Sequence, residues 1–329
     1  MTRTTTGLLS IGVLLFIGVM VSQGLPAIAA TLGNAGWGLI LVALFHLLPL
    51  LLDAIAICVL FDSGCTGGAI RDSLLARWVG ESANSLMPAG QIGGPVVMAR
   101  YLAQRAMRLP EAAAVVTVST TLQTFAMIVF ALTGVLVLGA QASVVSPHAT
   151  RTSALIASGF LAVQVGGFYL VQRRGFFGTL MRAITRFFDK RDWAQFMSQA
   201  DAIDLAVQGI YRRKRQVTLS FTSSLAGWLA GSGEVYLIAL LIGAPLSWSE
   251  SLLLESLGQA IRSAGFAIPG ALGIQEGGYL LLAPLAGLPP SAALALSLAK
   301  RTRELLLGLP GLLYLQLAAR VATRMPPLR

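Results

Sequence analysis

Residues Glu255 to Gly278 read ESLGQAIRSAGFAIPGALGIQEGG, a run of Glu, Gln, Arg and a Pro-Gly break set inside apolar sequence. On a helix, Glu255, Gln259, Arg262 and Ser263 fall at i, i+4, i+7 and i+8, so they form one polar stripe. The helix has to stop near Ile268-Pro269-Gly270, because proline removes a donor and clashes with the preceding turn. Beyond the break, Gly273, Gln275, Glu276, Gly277 and Gly278 introduce a second short apolar helix, expected over Tyr279 to Leu285. A half-helix, a bend and another half-helix make a broken or re-entrant element. Lipid tolerates such an element only where protein or a watery cavity covers the freed backbone.

The same order occurs earlier. Glu81-Ser82-Ala83-Asn84-Ser85-Leu86-Met87-Pro88-Ala89-Gly90-Gln91-Ile92-Gly93-Gly94 also begins Glu-Ser, breaks at Pro and ends in Gln and a Gly-Gly pair. Interrupted apolar segments at corresponding places in two halves point to one shared site of the kind transporters build.

The rest of the chain fits this reading. Of its 329 residues 55% are hydrophobic and 12% charged, and the mean hydropathy is +0.75. That is too apolar for a soluble domain and implies an all-α polytopic membrane protein. The formal charge of +10 is carried in short stretches between apolar runs, a pattern that suits a cytoplasmic face and anionic lipid headgroups, not nucleic acid. Cys58 and Cys65 have no partners at metal-ligand spacing, so neither a disulfide framework nor a zinc site is expected. No cofactor and no catalytic residue is assigned. His46 lies in an apolar run and His148 in a loop, which gives no hydrolase triad, and His46 reads as a packing or interhelical hydrogen-bonding group.

In chain order, Gly7 to Val21 is a first apolar segment behind Arg3; Ala27-Ile28-Ala29 leaves signal-peptide cleavage as the competing reading. Trp37 to Phe61 spans, and its Asp53 is an intramembrane carboxylate. Basic residues flank the first broken element, with Arg71 and Arg77 before it and Arg100, Arg105 and Arg108 after it. Ala112 to Leu138 spans and carries a hydroxyl stripe, Thr117, Thr120, Thr121 and Thr124, with Gln123 beside it. The loop Gly139 to Thr152 is nearly uncharged, and Ala154 to Val171 crosses back. Arg173 to Arg215 holds ten Lys or Arg against four Asp, with interleaved Phe and Trp, and reads as a cytoplasmic loop whose amphipathic helix lies on anionic lipid. Val217 to Ile242 spans, with Ser220, Ser223, Ser224, Gly227, Gly231 and Glu234 along one side and Gly227 and Gly231 spaced for close helix approach. Pro290 to Arg320 holds Lys300, Arg301, Arg303 and Glu304, then Pro310; whether it crosses once or twice stays open.

Loop charge then gives six full spans with both termini cytoplasmic. The Glu81 element dips in from the cytoplasm and the Glu255 element from the opposite side, as an inverted repeat in one membrane domain, residues 1–329. The first half covers 1–139 with its broken element at 81–100. Residues 140–216 supply a span and the basic loop, and 217–329 form the second half with its broken element at 255–286.

Pro269-Gly270-Ala271-Leu272-Gly273-Ile274-Gln275-Glu276 with Arg301 downstream, and Asn84 to Gly94 with Arg100, resemble the integral-membrane family named after the transmembrane region of lysylphosphatidylglycerol synthases, also called flippase-like. The resemblance covers nearly the whole chain, and its second-half motif is the more specific. Asn84-Ser85-Leu86-Met87-Pro88 and Gly90-Gln91-Ile92-Gly93-Gly94 are similar to the subgroup associated with hopanoid biosynthesis. Two departures stand out. Nothing after Arg320 supplies the soluble aminoacyl transferase domain of the bifunctional members, so lysyl transfer is not implied, and Pro95 stands where an acidic residue is expected before Arg100.

The resemblance implies a translocator in the bacterial cytoplasmic membrane for a polar-headed lipid, a hopanoid or an anionic phospholipid. A membrane-embedded lipid-modifying enzyme, or a scaffold for lipid-synthesis enzymes, stays open as the alternative. The expected headgroup ligands are Arg262, Gly270, Gly273, Glu276, Arg301 and Arg303 in the second half, and Asn84, Gly90, Gln91, Gly93, Gly94 and Arg100 in the first. Glu255, Glu304, Glu81 and Asp53 are their expected charge partners. Arginines would hold a phosphate or carboxylate, and half-helix N-termini would present unpaired N–H groups to it.

Overall fold

The fold is a bundle of helices in a computed structural model that describes residues 26, 30, 33–87, 93–105, 107–141, 200–265 and 268–324. In chain order the helices are α1 Gly38–Phe45, α2 Leu47–Cys58, α3 Gly67–Leu86, α4 Gly93–Arg105, α5 Leu109–Gln141, α6 Ala200–Arg212, α7 Lys214–Leu241, α8 Trp248–Ala264, α9 Ile274–Leu282 and α10 Pro290–Arg324; one 3-10 turn, Pro269–Ala271, precedes α9 and another, Ala283–Ala286, follows it. No strand occurs among the described residues. Gly38–Cys58, Leu109–Gly139 and Lys214–Leu241 are long and apolar enough to cross a membrane, where the sequence places three of its spans. The first and fourth expected spans, the loop Gly139 to Thr152 beyond Gln141, Pro88, Gly90 and Gln91, and the aromatic part of the basic loop lie outside the described residues.

Local chemistry explains the breaks. α1 and α2 run as one helix with a joint at His46, three residues before Pro49, whose ring leaves the Phe45 carbonyl without its helical donor. α8 opens on a capping box, with Ser247 Oγ accepting from the Glu250 amide and the Glu250 carboxylate accepting from the Ser247 amide. It ends at Ala264, four residues earlier than the proline suggested. α9 in turn starts at Ile274, so Gly277 and Gly278 lie inside it, and a Cβ on Gly278 would come within 2.9 Å of Ile261 on α8. Gly278 serves the packing of the two half-helices on each other. α10 runs unbroken over 35 residues through Pro310, which answers the open question at 290–320 with one helix. Trp78 Nε1 donates to the Leu307 carbonyl beside that proline.

Two hairpins enter the bundle from opposite ends. Arg213, just before α7, donates to the carbonyls of Leu60 and Phe61 and pairs with Asp62 at 2.7 Å. The end of α2, the start of α3 and the start of α7 therefore share one end, which is rich in Arg and Lys. From there α3 and α4 go in and come back. α7 carries the chain to the opposite end, from which α8 and α9 go in and return. The tips meet: a Cβ on Gly270 would lie 3.3 Å from the Ser85 carbonyl.

An apolar core occupies each end. At the basic end Ile57, Leu60, Val79, Leu102, Val115 and Ile210 are buried together, and at the other Ile238, Leu253, Leu254, Tyr279, Leu282 and Leu296. Glycines set the helix spacing between them. Gly227 faces the Asp53 carboxylate and Gly231 faces that of Glu255, with a Cβ at 3.3 and 3.2 Å from the respective oxygens. The close approach expected of this pair thus makes room for buried carboxylates. The serines of the two Glu-Ser pairs also meet glycines, Ser82 at Gly311 of α10 and Ser256 at Gly134 of α5, where a Cβ would sit 2.1 and 2.0 Å from the hydroxyl oxygens. Gly134→Ala is expected to destabilise by about 1–3 kcal/mol through overpacking, and Ser256→Gly in the same chain to recover most of that, read as the thermal midpoint in detergent.

One expectation is corrected. Cys58 and Cys65 form a disulfide, with Cα atoms 5.2 Å apart, because the chain turns back through residues 61–66 and returns Cys65 to the end of α2. The aromatic residues that mark the expected interfacial helix of the basic segment lie outside the described residues; in α6, at the end of that segment, Ile203 and Ile210 are buried and Ile210 belongs to the protein core with Val115, Val118 and Leu122 of α5. Leu205 and Tyr211 of the same helix are exposed. Two threonines of the stripe on α5 donate within their own helix, Thr121 to the Thr117 carbonyl and Thr124 to that of Thr120; across helices Thr121 bonds to Tyr211 and Gln123 donates to Asp53.

Candidate functional site

Between the two apolar cores lies a layer of charge. α10 supplies Lys300, Arg301, Arg303 and Glu304 within five residues, and the roughly 100° step per residue sends them to different neighbours. Lys300 pairs with Glu255 on α8; both are buried, and Glu255 also accepts from Tyr279 Oη at 3.1 Å and Gln259 Nε2 at 2.8 Å. Each charge there has a partner, as a buried ion in an apolar bundle must.

Arg301 turns to the break between α8 and α9. Its Nε pairs with Glu276 at 3.0 Å and its Nη1 with Glu304 at 3.1 Å; Nη1 also donates to the Gly270 carbonyl at 2.6 Å and Nη2 to that of Ala271 at 3.2 Å. The turn needs this clamp. Gly270 and Gly273 have φ of 62° and 78°, and Ala271 has φ of 48° with a side chain that disfavours it, a conformation that costs an L-residue about 1–2 kcal/mol. Glu276 completes the assembly. Its Oε2 accepts from the Gly273 amide at 2.8 Å, its Oε1 from Ser297 Oγ at 3.2 Å, and Gln275 Nε2 donates to that same hydroxyl at 2.9 Å. Arg262 reaches across to Glu304 at 2.6 Å, so Arg262, Glu304, Arg301 and Glu276 form one chain of charges.

Arg303 turns the other way, toward the first half. It lies 3.2 Å from Glu81 on α3, 3.4 Å from Glu234 on α7 and 3.9 Å from Glu304. His46 stands among them, Nδ1 at 2.6 Å from Glu234 and Nε2 at 2.9 Å from Glu81. Free space beside this group, bordered by His46, Glu81, Ser85, Arg303, Glu304 and Gly308, amounts to about 10 Å³, enough for about one water. A headgroup does not fit without movement.

The first-half site residues fall into two groups. Asn84 Oδ1 accepts from the Gly94 amide at 2.7 Å, so it caps α4 as Glu276 caps α9. Pro95 sits in the first turn of α4, where a missing N–H costs nothing. Each N-terminus expected to offer its amides to a ligand thus has one amide taken by the chain's own side chain. Asp53 lies apart, paired with Arg77 at 2.8 Å, and Arg100 lies on an exposed face of α4. Of the expected residues, Arg262, Gly270, Gly273, Glu276, Arg301, Glu304, Arg303 and Glu81 are brought together; Glu255 joins through Lys300 of the same helix.

The model of the lysylphosphatidylglycerol synthase TM region matches residues 7–311. The chain belongs to this family. Family membership and the helical bundle together make it an integral membrane protein related to lipid metabolism or translocation. No curated protein and no solved structure matches. What distinguishes this lysylphosphatidylglycerol synthase TM-region protein internally is a set of partners that sequence reasoning left out: His46, Glu234 and Lys300. Each is an ionisable group inside an apolar helix, which is itself the signal that could have placed them in the site.

Proposed function

We propose that the protein is a lipid translocator of the bacterial cytoplasmic membrane, with its Arg- and Lys-rich end toward the cytoplasm and a polar-headed lipid, a hopanoid or an anionic phospholipid, as its substrate. The observation that carries this reading is the meeting of two hairpins, entering from opposite ends, at a layer of buried charge bounded by an apolar core on each side. A scaffold needs no such layer, which costs several kcal/mol of desolvation per ion. In this reading the state described here is occluded. Opening from either end parts the hairpin tips at Gly270 and Ser85 and frees Arg262, Arg301 or Arg303 to exchange a glutamate for a lipid phosphate or carboxylate.

Purified protein in vesicles carrying a fluorescent phospholipid tests this. Translocation without chemical change is expected. A new lipid species instead identifies a lipid-modifying enzyme, and neither outcome leaves a scaffold for lipid-synthesis enzymes. Orientation is tested separately in a Cys58→Ser, Cys65→Ser background. Pro245→Cys, at the end where α7 stops, is expected to react with a membrane-impermeant maleimide in intact cells. Arg212→Cys is expected to stay unlabelled until the cells are opened, and the reverse pattern overturns the assigned topology.

A further inference from the structure

Three arginines and four glutamates make up the linked cluster: Arg262, Arg301 and Arg303 against Glu81, Glu234, Glu276 and Glu304. The remaining pairs, Lys300 with Glu255 and Arg77 with Asp53, balance themselves. Among the described residues the cluster is therefore one positive charge short, and His46 stands within it as a group that can supply that charge.

Its contacts point the same way and also reveal a rival. Both ring nitrogens face carboxylate oxygens, at 2.6 and 2.9 Å. A neutral imidazole has one donor, so it can satisfy only one of them; the imidazolium satisfies both. Yet Arg303 Nη1 also stands 2.7 and 3.0 Å from the two ring nitrogens, a contact that a neutral ring accepts and a charged ring repels. Arg303 Nε and Glu234 Oε1, 3.4 Å apart, each lack a hydrogen bond although Glu234 is 1% exposed. Two arrangements thus compete for the same atoms. With a proton on the ring, His46 holds Glu81 and Glu234 and the guanidinium withdraws; without it, Arg303 takes the carboxylates and donates to the ring.

We propose that His46 is a proton-binding site that competes with Arg303 for Glu81 and Glu234, so that a proton decides which cation joins α3 and α7. The proton comes from water by way of the Glu81 side chain, which is 26% exposed and borders the space that would hold about one water. It adds to a ring nitrogen and leaves by the same route. The charged groups around the ring are Asp53 on its own helix, Arg77 and Glu81 on α3, Glu234 on α7, Lys300, Arg303 and Glu304 on α10, and Glu255 beyond Gly231. Coupling of this proton to lipid movement rests on the translocator reading, while the site itself does not.

With only two histidines in the chain, a His148→Gln variant leaves His46 as the sole source of nitrogen-15 histidine signals. In detergent or nanodiscs, ring-nitrogen shifts followed from about pH 5 to about pH 9 are expected to show a doubly protonated ring giving way to a singly protonated one. Arg303→Gln is expected to raise the imidazolium-to-neutral ratio at fixed pH by about tenfold or more, the factor of one pKa unit, and Glu81→Gln to lower it comparably. Glu234→Gln gives a second route to the lowered ratio if Glu81→Gln does not fold, and if Arg303→Gln does not fold alone the same rise is expected of the Arg303→Gln, Glu234→Gln double variant measured against Glu234→Gln. A ring in one protonation state throughout overturns the proposal, as does a ratio that none of these variants moves. A ring that titrates as expected in a protein that moves no lipid keeps the proton site and removes the translocator.

Discussion

Arg301→Gln is expected to be among the most damaging single substitutions in the chain, lowering stability by about 3–5 kcal/mol or preventing accumulation of folded protein altogether. It strips Glu276 and Glu304 of a partner and at the same time releases the Gly270 and Ala271 carbonyls that hold the left-handed turn. Glu276→Gln should do less harm, since an amide oxygen can still accept from the Gly273 amide. The double variant Glu276→Gln, Arg301→Gln is expected to regain part of the loss, because no buried carboxylate at 276 is then left alone, but not all of it, because the turn stays unclamped. Yield and thermal midpoint in detergent measure this. In vesicles the double variant should remain inactive if these residues exchange partners with a lipid headgroup; lipid movement at the parent rate would mean that the pair is structural and that the headgroup binds elsewhere.

A comparable loss is expected at Arg303→Gln, for a different reason. Arg303 is the contact point of three helices, with Glu81 on α3, Glu234 on α7 and His46 at the joint of α1 and α2 all within 3.4 Å of its guanidinium. Removing it leaves those two carboxylates and Glu304 with one cation fewer, at an expected cost of about 3–5 kcal/mol. Adding Glu234→Gln restores the charge balance and should recover most of the stability, since Glu81 and His46 can still pair. A double variant as unstable as the single one would show that Arg303 acts through packing and not through charge.

Much of this arrangement is legible in the sequence, and what is not legible has a common cause. The polar stripe Glu255, Gln259, Arg262 and Ser263 follows from periodicity within one helix, the breaks near Pro88 and Pro269 from proline, and the Glu-Ser repeat from setting the two halves side by side. Where a side chain finds its partner does not. Glu81 meets Arg303 across 222 positions of sequence and His46 meets Glu234 across 188, and the periodicity of a helix says which face a residue occupies without saying what lies opposite. For that reason His46 reads only as a packing or interhelical hydrogen-bonding group with no partner named, Glu234 as one polar position among serines and glycines, and the α9 amides as open to a ligand. The glycines misled in the same way. Gly277 and Gly278 read as the lead-in to a helix, yet both lie inside α9, and Gly278 sits where α9 meets Ile261 of α8, which only the neighbouring helix reveals.

The single helix α10 has a genetic consequence. Lys300, Arg301 and Arg303 each serve a different neighbour because of where they sit around one unbroken cylinder. A substitution at any one of them alters one set of bonds. Inserting or deleting one residue between Lys300 and Arg303 would instead turn everything beyond it by about 100° and shift it about 1.5 Å along the axis, and Arg303, Glu304, Gly308 and Gly311 would all leave their partners together. Length polymorphism among natural copies of this chain should therefore collect in the connections between helices and be absent between Lys300 and Gly311, where reading frame along the cylinder is as binding as residue type.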